Sequence, residues 1–191
     1  MSVSAALLWA ALAVLLVYGV LIYNGLVRLK HNVARAWSNI DVLLKQRHDE
    51  LPKLVEVCRH YKQFEQDTLL RVTEARARVS QAREAHDVPA LGAAEAQLRT
   101  GLGQIFAVVE AYPELKANEH FMQLASRITA LENAIADRRE WYNESVNVHN
   151  IRIEQFPDIL VARLFGYAAQ PLLRFAAAEK ADVDMKALLG A

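Results

Sequence analysis

Charge is missing from the start of this chain: no Asp, Glu, Lys or Arg precedes Arg28. Cysteine occurs once, at Cys58, so an internal disulfide is excluded. With seven glycines and five prolines in 191 residues, the turn chemistry of an all-β fold is absent. Neither sign of charge is in excess, since 22 cationic residues meet 22 anionic ones. A general nucleic-acid binder would show a basic surplus, and no nucleic-acid partner is expected. The sequence also lacks a Gly-rich phosphate loop, a Gly-x-Ser-x-Gly elbow and a His-Glu-x-x-His pair. Helix bundles can hold di-iron in two Glu-x-x-His pairs, but no Glu here is followed by His three residues later. No catalytic, cofactor-binding or metal-ligating residue is therefore assigned, and no cofactor is expected.

What the uncharged start does contain is an apolar run from Ala5 to Tyr23. About 20 apolar residues suffice for a helix to cross the hydrocarbon core. A cleavable signal peptide would have a basic start, a shorter core and small residues before its cleavage site. Here the run is long and ends in Val20, Leu21, Ile22 and Tyr23, so a retained anchor is predicted, with residues 5–23 in the bilayer. Trp9, Tyr18 and Tyr23 suit the two interfaces. Arg28, Lys30 and Arg35 follow the span and no cation precedes it, which predicts an outside N-terminus and a cytoplasmic body.

The remainder is rich in Ala, Leu, Glu, Arg and Gln, and its apolar residues recur at helical spacing, so an all-α fold is expected. One stripe runs through Leu26, Leu29, Val33, Ile40, Leu44, Leu51, Leu54, Cys58 and Tyr61, then Leu69, Val72 and Val79. A second helix is expected from Pro89 to Tyr112 on Leu91, Leu98, Leu102, Ile105 and Val109, with Asp87 as its cap. Gly101 and Gly103 inside it weaken it unless a neighbour comes close. A third helix, capped by Asn118, carries Phe121, Leu124, Ile128, Leu131, Ile135, Tyr142, Val146, Ile153 and Phe156 and stops at Pro157. Pro52 decides the topology. A reversal there gives an antiparallel four-helix, up-down-up-down bundle, which is the preferred reading. A kink there instead leaves one first helix of about 60 residues, or about 90 Å.

The domain division expected is an anchor over residues 1–24, a bundle over 25–157, a short apolar or amphipathic helix over 158–178 and a mobile tail over 179–191. The third piece either caps the bundle, lies at the lipid surface or makes a subunit contact. Among polar groups, His48, Asp49 and Glu50 resemble ligands by composition alone, because adjacent helical residues point apart. Asn143, Asn147 and Asn150 share one stripe, read as hydrogen-bonding to a neighbouring helix, with peptide binding as the alternative. Arg138, Arg139, Trp141 and Tyr142 form a basic-aromatic stretch. Cys58, on the apolar face, reads as a small buried hydrophobe.

Several blocks resemble the LemA family: Tyr23-Asn24-Gly25-Leu26-Val27, Ala36-Trp37-Ser38-Asn39-Ile40-Asp41-Val42 and Leu44 through Glu56. Later blocks agree in order, namely Glu110 through Asn118, Glu132-Asn133-Ala134-Ile135-Ala136, Tyr142-Asn143 through Asn150, and Phe156-Pro157. Lys53 departs from the Asn often found after this proline. The resemblance implies a bacterial inner-membrane protein with one span, an external N-terminus and a cytoplasmic helical bundle. It supplies no activity. It suggests by association a membrane protease or ubiquitin-ligase-like membrane protein as partner. Together these expectations describe a non-enzymatic, coiled-coil-like scaffold that forms a homo-oligomer. The alternatives are an adaptor for such a partner and, more distantly, an enzyme using His48, Asp49 and Glu50.

Overall fold

Few breaking residues make long helices, and the computed structural model, which describes residues 2–61 and 65–175, has six helices and no strand among them. They are α1 (Val3–Arg59), α2 (Gln66–Glu84), α3 (Val88–Val109), the single turn α4 (Pro113–Lys116), α5 (Glu119–Glu154) and α6 (Asp158–Leu164). The chain divides into two compact units. One comprises Met1–Ile40 and Arg138–Leu172, and the other Asp41–Asp137 with the chain from Leu173 onward. The tail expected over residues 179–191 lies outside the described residues.

The second unit is the four-helix bundle. Its directions can be read from pairs. Arg83 bonds Asp41 at 3.2 Å while Arg76 reaches His48 at 2.7 Å, so α2 runs antiparallel to α1. Arg78 bonds Gln97 at 2.9 Å and Val72 faces Gly101, so α3 reverses again. Arg47 pairs with Glu132 and Arg127 with Glu50, which sets α5 antiparallel to α1. The up-down-up-down order therefore stands, but its first turn is not at Pro52. Helix α1 passes straight through Pro52, and the turn falls between Arg59 and Gln66. An interior proline costs about 3 kcal/mol. Continuing the helix buries Leu54, Val55 and Cys58, at about 1.5–3 kcal/mol for each large apolar side chain, which outweighs it.

The other connections follow their local chemistry. Helix α2 ends with His86 at φ 51°, in the left-handed region. The His86 amide donates to the Arg83 carbonyl and the Asp87 amide to that of Ala82, closing the last turn. Asp87 then caps α3, its carboxylate accepting from the Ala90 amide at 3.0 Å. Asn118 caps α5 in the same way, accepting from the Phe121 amide at 3.0 Å. Both caps were expected. Gly101 has the close neighbour it needs, since a Cβ there would lie 2.8 Å from Val72 Cγ2. Gly103 has none.

In the first unit, α1 and α5 pack through Trp37 and Tyr142, whose rings meet edge to face at 5.7 Å. Ile22, Leu26, Ile153 and Ala162 form a small core that seats α6 against α1. Ahead of Ile22, α1 is different: Leu7, Leu8, Trp9, Leu12, Leu15, Leu16 and Leu21 are all exposed. Among the described residues this is the one helix long and apolar enough to cross a membrane. Phe156, expected on the seam of α5, is 81% exposed, because that helix ends at Glu154 and the chain turns there.

Candidate functional site

The bundle's most unusual chemistry is a buried ionic cluster. Arg47 and Glu95 are both wholly inaccessible and pair with each other, and Arg47 also bonds Glu132. Arg99 stands 3.7 Å from the other oxygen of Glu132. One turn along α1, the largely buried Glu50 accepts from Arg127 at 2.9 Å and from Lys53 at 3.1 Å. Within this cluster Arg47 Nε, Glu50 Oε2 and Glu95 Oε2 have no hydrogen-bond partner among the described residues. Burial alone disfavours the Arg47 charge, but Glu95 and Glu132 outweigh it and hold the guanidinium above its ordinary pKa. Burial likewise pushes the Glu95 carboxyl above the usual range; Arg47 pulls it back, and the charge of Glu132 adds to the rise.

These residues went unread as a site, yet their signal is in the heptad-like spacing. On α1 the buried positions run Ile40, Leu44, Arg47, Leu51, Leu54, Cys58, so Arg47 fills a seam position. On α3 they run Leu91, Glu95, Leu98, Leu102, with Glu95 in the equivalent gap. Two opposite charges, each interrupting an apolar stripe, mark a pair that meets inside. Such a pair adds little net stability but fixes register when every alternative leaves a charge unpaired.

His48, Asp49 and Glu50 do not converge. Glu50 faces the bundle, Asp49 is exposed and His48 lies half-buried against α2. The His48 carbonyl is the one that Pro52, lacking an amide hydrogen, leaves without its helical donor. Arg76 supplies the replacement: its Nε donates to that carbonyl at 2.9 Å, and its Nη2 lies 2.7 Å from His48 Nε2. Burial, reinforced by the Arg76 charge, holds the His48 pKa below normal. The imidazole is thus suited to accept from Arg76 as a neutral ring. His48 and Arg76 together repair α1 at its proline.

Of the three asparagines, Asn150 turns to a segment outside the helices. It grips the extended segment after α6, donating to the Gln170 carbonyl at 2.9 Å and accepting from the Gln170 amide at 2.8 Å. Tyr142 donates to the Pro171 carbonyl at 3.1 Å. Asn147 is exposed. In the second unit the same strap continues with Leu173 buried and Arg174 lying against Gly92, where any Cβ would strike the Arg174 carbonyl. Arg138 stacks on the half-exposed Trp141 at 5.6 Å, while Tyr142 points into the first unit's core, so the basic-aromatic stretch is divided between two faces. Cys58 is wholly buried, and burial pushes its thiol up to about 12, which keeps it protonated.

Comparison with known proteins adds a family. The family model described as LemA matches residues 36–186. A protein named LemA from Metamycoplasma hominis is 28% identical over 167 residues, covering 86% of this chain and 74% of that protein. Magnetosome protein MamQ 2 of Paramagnetospirillum magneticum is 22% identical over 168 residues, covering 76% of this chain. Magnetosome protein MamQ of Magnetospirillum gryphiswaldense is 20% identical over a stretch of the same length. The chain spans 62% of each of these two magnetosome proteins, less than two thirds of their length.

Proposed function

Since the chain belongs to the LemA family, we propose that it is a membrane-anchored scaffold of that type: non-enzymatic, crossing the bacterial inner membrane once, and self-assembling through its cytoplasmic helical body. One observation carries the reading. The first part of α1 exposes apolar side chains all round, while the bundle built on the rest of that helix pairs its buried charges, Arg47 with Glu95 and Glu50 with Arg127. A helix apolar on every side requires an apolar surrounding. Ion pairs spent on register leave a body suited to holding a shape.

The cations that follow the span, Arg28, Lys30 and Arg35, favour a cytoplasmic body and an outside N-terminus. Closed cyclic symmetry is the ordinary outcome when identical subunits associate. Purification of the full chain in mild detergent, followed by native mass spectrometry, tests the proposal. A single species at a fixed multiple of 21.4 kDa is expected. A stoichiometric second protein would instead make the chain an adaptor, with a membrane protease or ligase-like protein the first candidate. A monomer without partners would sink both readings.

A further inference from the structure

Helix α6 has two apolar faces and only one of them is covered. Asp158, Val161 and Ala162 face inward, with Ala162 packed in the core made by Ile22, Leu26 and Ile153. Arg152 holds Asp158 at 2.8 Å and neutralises it there. On the other side Leu160 is 60% exposed and Leu164 78%, one turn apart; Phe156, in the turn ahead of the helix, is also exposed. Phe165 continues the patch, half-exposed, its ring 4.6 Å from that of Tyr23. In an aqueous monomer this cluster of large side chains would stand in water with nothing over it.

Its position identifies the cover. Tyr23 closes the apolar run of α1, and Ile22 is the first residue of that helix to be buried by protein. From Val3 to Ile22 a helix rises about 30 Å at 1.5 Å per residue, the thickness of the hydrocarbon core. Helix α6 therefore docks on α1 where the bilayer ends. We infer that the face formed by Leu160, Leu164 and Phe165 lies in the interfacial layer of the bilayer, as a second lipid contact beside the span. Arg163, exposed between the two leucines, and Arg28 and Lys30 on α1 are placed to meet headgroup phosphates. This rests on the anchor reading above: without a membrane at residues 5–23 there is no lipid at α6.

Nitroxide labels on the full chain test it, in a Cys58→Ala background reconstituted into vesicles of phosphatidylcholine and phosphatidylglycerol. Labels are placed singly at Leu12→Cys, Leu160→Cys and Leu164→Cys, all exposed positions that leave the cores intact. The Leu12 label should be deep, relaxed by oxygen and shielded from a water-soluble nickel chelate. Labels at positions 160 and 164 should also favour oxygen over nickel, at a shallower depth. A deep Leu12 label with nickel-accessible labels at 160 and 164 would overturn this inference and leave the anchor standing. Labels at 160 and 164 closed to both reagents, with spin-spin broadening, would assign the face to a second copy and overturn it too. A nickel-accessible Leu12 label would sink the anchor and the α6 contact together.

Discussion

Helix α1 is one helix made for two surroundings. Along residues 7–21 its large apolar side chains point outward on every side, whereas along residues 40–58 most of them, Val42 apart, are gathered on one side and buried. The charge pattern differs in the same sense. The first stretch has none, while the second carries charge on its outer faces and buries Arg47 and Glu50. Both are α-helical, and apart from the bond that Pro52 removes and Arg76 replaces, conformation does not distinguish them. What differs is where the apolar surface can go: into lipid in the first stretch, by the reading proposed above, and into three other helices in the second. A helical period describes only the second case.

The comparison can be broken most severely at Arg47. Arg47→Met strands the Glu95 carboxylate in the core and should cost about 3–5 kcal/mol, read as a lower denaturation midpoint of the detergent-solubilised chain. Adding Glu95→Leu should restore most of that loss, because an apolar pair of similar size serves the seam as well. The next largest contrast uses the same substitution twice. Leu44→Ala should cost about 2–5 kcal/mol by opening a cavity. Leu12→Ala should leave the unfolding of the body where it was.

A smaller effect concerns the proline. Arg76→Leu removes the donor to the orphaned His48 carbonyl and should cost about 1–3 kcal/mol. In a Pro52→Ala background, where the helical amide returns, the same change should cost clearly less, and a double-mutant cycle measures the coupling. The smallest effect is on pH dependence. The folded pKa of Glu95 lies above its unfolded value, so the folded state holds this proton more tightly. The stability it contributes is present below the unfolded value of about 4.3 and is lost as pH rises through the folded one. Denaturation midpoints should therefore show a downward component across that window, and Glu95→Gln should abolish it.

Much of the architecture was legible because its signals are local. Asp87 and Asn118 announce helix starts, Pro113 and Pro157 announce stops, and the seam residues repeat at helical spacing. The turn before Gln66 was not legible, since no Gly or Pro lies between Arg59 and Gln66 to mark it. Pro52 misled for the opposite reason: a local breaker is overridden when a distant arginine replaces the lost bond and the following turn has a core to enter. The ionic cluster was half-legible. Arg47 and Glu95 each show as a gap in a stripe, but only packing shows that the two gaps face each other. The use of Asn150 was invisible, because its target is the backbone of a segment with no helical signature.

A cysteine-accessibility scan along α1 in native membrane vesicles tests the contrast most directly. Single cysteines in a Cys58→Ala chain would be probed with a membrane-impermeant maleimide from each side. Positions 7–21 should be protected all round the helix, and positions 40–58 should alternate, with sites such as Val42, Lys45 and Asp49 labelled only from the cytoplasmic side and Leu44 and Leu51 protected. Labelling of one face within 7–21, in the same three-to-four-residue rhythm, would mean that this stretch packs on protein rather than lipid and would contradict the account.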